Sequence, residues 1–193
     1  MTEDQRRFVS RTRSDLEAGA DVTIVAYGDS ITAGFAVRRG FPSFWKQMLE
    51  EKYPEAGLEM INSGISGDTT LDGLSRLDWA ALSYEPGLVT INFGINDCVL
   101  GLGLEEFEMN LVEMVRRIRA EVGGDYPILY RLSAEERIPG GTTLEDTLQL
   151  VRLLEEAGVD CFDITAGIYD SIEWIYTLQG VAPGSLIPLA EAV

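Results

Sequence analysis

The stretch Ala26-Tyr27-Gly28-Asp29-Ser30-Ile31-Thr32 follows the apolar run Thr23-Ile24-Val25 and holds a serine where a strand must stop. A strand ending in Gly-Asp-Ser sets a small hydroxyl at the carboxyl edge of a sheet, which is where open α/β folds bind their ligands. Gly, Asp and Ser are also ordinary turn residues, so the stretch by itself reads equally as a turn. Its context repeats downstream. Asn62-Ser63-Gly64-Ile65-Ser66-Gly67-Asp68-Thr69-Thr70 follows Leu58-Glu59-Met60-Ile61, and Phe93-Gly94-Ile95-Asn96-Asp97 follows Leu88-Val89-Thr90-Ile91-Asn92. Polar clusters placed just past successive parallel strands converge on one edge of the sheet. Ser30, the glycine-rich turn and Asn96 are therefore expected to face one ligand atom. Asp29 and Asp97 are expected to fix their loops through backbone hydrogen bonds rather than to act chemically.

The elements between these clusters read as helices. Residues 3 to 18 carry mixed charge with Phe8, Val9 and Leu16 as sparse apolar points, which predicts a surface helix. Phe41 to Tyr53 has Pro42 in a first-turn position, and its aromatic and aliphatic residues recur at helical spacing, with the aromatics assigned to the core. Leu71, Leu74, Leu77 and Ala81 mark the inner face of another helix that closes before Pro86-Gly87. Leu104 to Val122 carries a long apolar stripe, and Arg116, Arg117 and Arg119 read as a solvated helix end that complements the dipole. Short continuous apolar strands alternating with helices are the pattern of a parallel sheet covered on both faces.

At Ser30, Gly67 and Asn96 the chain resembles the SGNH (GDSL-type) serine esterases and lipases, over about residues 20–120. The resemblance implies that Ser30 is the nucleophile, that Gly67 gives a backbone N–H, and that Asn96 gives a side-chain donor to the oxyanion hole. It also implies a last block, Asp-x-x-His, whose histidine takes the serine proton. The chain has no histidine. A serine hydroxyl without an adjacent base is a poor nucleophile at neutral pH. Asp170-Ser171-Ile172-Glu173 keeps the spacing with a glutamate in the histidine position, and is read as coincidence.

The second half continues the alternation. Pro127 to Ser133 is a strand candidate, Thr142 to Ala157 a helix with the capping-box pattern Thr142-x-x-Glu145 and a stop at Gly158, and Val159 to Thr165 another strand. From about Val115 onward the wording resembles the flavin-dependent Old Yellow Enzyme group, in its enoate and dienoyl-CoA reductase branch. The matching residues are Tyr130-Arg131-Leu132-Ser133-Ala134-Glu135-Glu136, Pro139-Gly140-Gly141-Thr142-Thr143-Leu144-Glu145, Leu154-Glu155-Glu156-Ala157-Gly158-Val159-Asp160 and Pro183 to Val193. In that family an arginine matching Arg131 contacts the flavin. The first barrel strands, the substrate-binding pair and the phosphate loops have no counterpart here, so no flavin or other cofactor is expected.

The two resemblances meet inside the helix 111–122, which predicts a chimera: residues 1–121 of SGNH type, and residues 122–193 a βαβ fragment completing or appended to the same domain. Right-handed βαβ units are common to both folds. The expected architecture is a three-layer, flavodoxin-like α/β fold with about five parallel strands in the order 2-1-3-4-5, the last two taken from a (β/α)8-barrel-like segment. Ile172, Trp174, Ile175, Tyr176, Leu178 and Leu186 are then expected to form an exposed apolar patch that drives self-association.

Length and charge bound the function. A chain of 193 residues with 46% hydrophobic residues suffices for one domain with a sizeable core. A net charge of -17 repels phosphate backbones and anionic headgroups, which argues against nucleic acid or a membrane as partner. The N-terminus has no apolar leader, so the expected address is cytoplasmic. Cys98 and Cys161 have no metal-ligand spacing; no metal is expected, and both read as free thiols at strand ends. The expected partner is a small-molecule ester. Three functions stay open: an SGNH-type ester hydrolase weakened by the missing histidine, a non-catalytic binder of acyl or sugar esters, and a flavin reductase fragment.

Overall fold

The computed structural model describes residues 10–124, 127–175 and 184–193. Five strands form one sheet: β1 (Asp21–Gly28), β2 (Gly57–Gly64), β3 (Leu88–Asn92), β4 (Ile128–Ser133) and β5 (Cys161–Thr165). Their spatial order is β2-β1-β3-β4-β5, all neighbours parallel, as expected from the sequence. The helices are α1 (Ser10–Glu17), α2 (Ser30–Ala33), α3 (Phe41–Lys52), α4 (Thr70–Ala80), α5 (Ile95–Leu100), α6 (Leu104–Val122), α7 (Leu144–Ala157), α8 (Ile172–Ile175) and α9 (Ile187–Ala192). Residues 3–9 of the expected first helix lie outside the described residues.

Alternate residues of each strand face opposite sides of the sheet, and register partners in neighbouring strands share a side. On one face Val25, Tyr27, Val89, Ile91, Ile128 and Tyr130 pack against Leu77 and Ala80 of α4, Leu111, Met114 and Ile118 of α6, and Val151 and Leu154 of α7. Burying a side chain of this size is worth about 1.5–3 kcal/mol. This continuous layer is what fixes the strand ends. On the other face Val22, Ile24 and Leu88 pack with Leu16 of α1 and Trp45 and Leu49 of α3.

That second face ends differently over β4 and β5. Arg131 and Asp163 pair across the strands at 2.7 Å with their side chains 51% and 54% exposed. Arg131 is thus a half-exposed cross-strand partner of a carboxylate.

Several local expectations need correction. In α3, Trp45, Leu49 and Tyr53 pack on the core, but Phe41, Phe44 and Met48 are exposed, because the helix turns one stripe inward; Phe44 instead lies under Arg39 at 4.7 Å. Leu71 is exposed, and Gly73, Arg76, Leu77 and Ala80 make the buried face of α4. Of the arginines of α6, Arg116 is exposed, but Arg117 and Arg119 are not simply solvated. Arg117 bonds Asp78 and the Leu74 carbonyl, while Arg119 bonds Asp160 and the Gly158 carbonyl, fastening α6 to the chain entering β5. The capping box of α7 is Thr143 with Asp146, one residue later than expected, since the Thr142 N–H is held by Glu136 at 2.9 Å. Cys98 lies within α5 rather than at a strand end; both cysteines are free.

Of the expected C-terminal patch, the two residues whose side chains are described, Trp174 and Leu186, are half-buried rather than exposed. Trp174 and Leu186 pack against Ala134, Ala166 and Leu189, and the Arg137 guanidinium covers the Trp174 ring at 3.8 Å. Tyr176 and Leu178, and the side chains of Ile172 and Ile175, lie outside what is described.

Candidate functional site

The loops after β1, β2 and β3 meet at the carboxyl edge of the sheet and are stitched together there. The Ile65 N–H donates to the Gly28 carbonyl at 3.0 Å, and the Asp29 N–H to the Asn92 carbonyl at 3.1 Å. The Asn96 side-chain amide donates to the Asp68 carbonyl at 2.7 Å. Asp97 accepts from the Thr70 N–H at 3.0 Å and from the Thr70 hydroxyl, and Asn110 of α6 donates to that hydroxyl at 3.2 Å. Ser30, Gly67 and Asn96 all belong to this assembly of loops.

Ser30 opens α2 in the turn directly after β1. Asp29 caps this short helix: its carboxylate, itself 1% exposed, accepts the Ile31 N–H at 2.9 Å. Burial, with the charge of Asp97 adding to it and the Ile31 N–H opposing it, pushes the Asp29 carboxyl above the usual carboxylate range. Asp29 and Asp97 therefore hold loops, as their placement in the sequence implied. Gly64 lets α2 sit against the end of β2, since a Cβ there would lie 2.2 Å from the Ala33 nitrogen.

Gly67 is glycine for a different reason. Nothing lies within 4 Å of where its Cβ would be, but its φ of +93° is a conformation that side chains resist. Among the described residues, the Ser30 and Gly67 N–H groups have no acceptor, and the Ser30 hydroxyl has no hydrogen-bond partner. One Asn96 amide hydrogen is committed to Asp68, which leaves the other for a ligand. Thr69 closes the loop by capping α4, with a reciprocal bond between its N–H and Asp72 at 3.0 Å.

Asp170 sits in the turn Tyr169–Ser171 and Glu173 in α8, and both are exposed. Ser171 between them is buried and donates to the Glu136 carbonyl, tying this turn to the loop after β4. Glu173 lacks the apolar enclosure that a glutamate base needs. Among the described residues no cluster of carboxylate and cysteine side chains could hold a metal ion, and no helix is long and apolar enough to cross a membrane.

One residue of the site was not singled out from the sequence. Arg76, on the buried face of α4, bonds the Gly28 carbonyl, the Ser63 carbonyl and the Asp68 carboxylate. Arg76 lies off the stripe Leu71, Leu74, Leu77 and Ala81, so no sequence signal marked it.

A three-layer α/β fold with these motifs at one sheet edge defines a class, and comparison with known proteins agrees. Residues 26–180 match the GDSL-like Lipase/Acylhydrolase family, and the chain belongs to that family. It is 33% identical over 109 residues to Esterase TesA of Pseudomonas aeruginosa, covering 54% of this chain and 52% of that protein. It is 43% identical over 82 residues to an NADH oxidase of Thermoanaerobacter brockii, covering 42% of this chain and 13% of that protein. The chain thus spans about half of the esterase and a small part of the oxidase. A solved two-domain esterase active on acetylated mannans shares the fold, with a TM-score of 0.69 and 18% identity over 97% of this chain and 51% of that one.

Proposed function

We propose that this protein is an SGNH-type serine ester hydrolase that keeps its nucleophile and oxyanion hole but lacks its histidine base. The observation that carries the reading is the set of unspent donors: the Ser30 and Gly67 N–H groups and one Asn96 amide hydrogen, beside an unbonded Ser30 hydroxyl. Ser30 attacks the ester carbonyl, and the three donors bind the oxyanion that forms. Such preorganised donors stabilise the charge only as it develops, which is the largest single contribution in many acyl transfers.

With no imidazole to receive it, the serine proton passes to solvent water as the bond from Ser30 to the carbonyl carbon forms; the alcohol then leaves, and water hydrolyses the acyl-serine. Losing the base of a triad removes several orders of magnitude in rate, while the oxyanion hole retains a small part of the catalysis. Turnover is therefore slow and confined to esters with good leaving groups. Ile31, Phe35 and Ile65, exposed beside the loops, suit the acyl part of a small ester. The complete lack of histidine favours one second reading, a protein that binds such esters without hydrolysing them. Hydrolysis of p-nitrophenyl acetate by the unmodified protein and by Ser30→Ala separates the two.

The likeness to an NADH oxidase over 82 residues supports the further reading that β4, α7 and β5 descend from a flavin-enzyme barrel. On this reading the segment supplies strands rather than flavin chemistry. A colourless purified protein is the expected result, and a flavin spectrum would contradict it.

A further inference from the structure

We propose that Arg76 is the positioning residue of the oxyanion hole, a role that rests on the ester-hydrolase reading above. Its guanidinium donates from one terminal nitrogen to the Gly28 carbonyl at 3.0 Å and from the other to the Ser63 carbonyl at 3.0 Å. Its Nε donates to the Asp68 carboxylate at 2.6 Å. Gly28 is the last residue of β1, two before Ser30, and Ser63 lies at the end of β2, four before Gly67. Asp68 follows Gly67, and its carbonyl takes the Asn96 amide. One cation therefore reaches the loops that carry Ser30 and Gly67 directly, and the loop of Asn96 through Asp68.

The setting excludes a simple surface ion pair. The Arg76 and Asp68 side chains are 7% and 14% exposed. The guanidinium lies over the Tyr27 ring at 4.5 Å, and Tyr27 is fixed in turn by an edge contact with Phe93 at 5.2 Å and a bond from its hydroxyl to the Gly73 carbonyl. Burying a charge pair costs more than packing apolar groups of the same size unless each hydrogen bond is well made. Stability alone therefore does not account for an arginine here. A planar fork with donors at fixed angles accounts for it, because that fork sets the separation of two strand ends and the orientation of the loop between them. Lysine keeps the charge but cannot make the three directed bonds.

The test uses the full chain with Arg76→Lys and Asp68→Asn. Two readouts are taken: the NMR resonances of the Gly67 amide and the Asn96 side-chain amide, and the kcat and KM for p-nitrophenyl acetate against a Ser30→Ala control. The expected result is that both resonances shift or broaden in either variant while the core amides of Val25 and Ile91 stay protected from exchange. In Arg76→Lys, kcat falls by about tenfold or more with KM within about twofold, the pattern of a lost transition-state interaction. If Arg76→Lys does not fold, Asp68→Asn decides by the same resonances. Unmoved Gly67 and Asn96 resonances would overturn the proposal, as would a loss of protection spread through the core. Turnover unaffected by Ser30→Ala would overturn the hydrolase reading alone, since the resonances report positioning without any catalysis.

Discussion

The Asn96 side-chain amide donates to the Asp68 carbonyl at 2.7 Å, which ties the loop after β3 to the glycine loop after β2. The bond spends one amide hydrogen and leaves the other. Asn96→Ala removes both, and removal of one oxyanion donor typically costs about 100-fold or more in kcat. Ser30-dependent hydrolysis of p-nitrophenyl acetate is expected to fall by about that factor, or to the Ser30→Ala background if that is reached first. Circular dichroism should show the fold unchanged.

Gly64→Ala tests the close approach of β2 to α2. The new Cβ would lie 2.2 Å from the Ala33 nitrogen and 2.6 Å from the Thr32 carbonyl carbon, both backbone atoms that cannot rotate away. Overpacking of this kind costs about 1–3 kcal/mol, and in a chain of this size each kcal/mol lowers Tm by about 2–4 °C. Thermal unfolding should show that drop, together with loss of Ser30-dependent turnover because α2 is displaced.

Thr69→Ala removes the side-chain cap of α4, where Thr69 and Asp72 satisfy each other's backbone N–H groups. The expected loss is about 1 kcal/mol. A fall in Tm of a few degrees checks it, and Thr69→Ser, which keeps the hydroxyl, should recover most of the difference.

Asp29 gives a pH-dependent prediction. Its carboxyl is pushed up in the folded state, chiefly by burial, so the fold disfavours the ionised form. The stability it contributes is whole below the unfolded carboxylate value of about 3.9 and is lost as pH rises through the raised folded value. Asp29→Asn keeps the acceptor for the Ile31 N–H without the charge. The variant should therefore gain stability over the unmodified protein at pH 7, with the gain shrinking toward about pH 4. Thermal melts across that range give the answer, and a gain independent of pH would contradict it.

The sheet order could be read from the chain because buried parallel strands appear as short apolar runs, and the first three of these are each followed by a distinctive polar cluster. Arg76 could not be read in the same way. Its carbonyl partners lie 13 and 48 residues away, and backbone carbonyls leave no mark in a sequence. The cap of α7 was displaced by one residue because Thr142 and Thr143 each have an acid three positions later, and only the tertiary bond from Thr142 to Glu136 separates them. Phe41 and Phe44 depart from the inward placement expected of the aromatics because an apolar-rich helix has more hydrophobic positions than one buried stripe can take.

On the proposed reading, Ser30 is a nucleophile supported by an oxyanion hole and deprived only of its base. Added imidazole supplies that base from solution. The decisive measurement is the hydrolysis of p-nitrophenyl acetate at neutral pH with increasing imidazole, comparing the unmodified protein with Ser30→Ala after subtraction of the protein-free rate. A slow Ser30-dependent rate is expected that rises with imidazole in the unmodified protein and does not rise in Ser30→Ala. Equal rates for the two proteins at every imidazole concentration would contradict it.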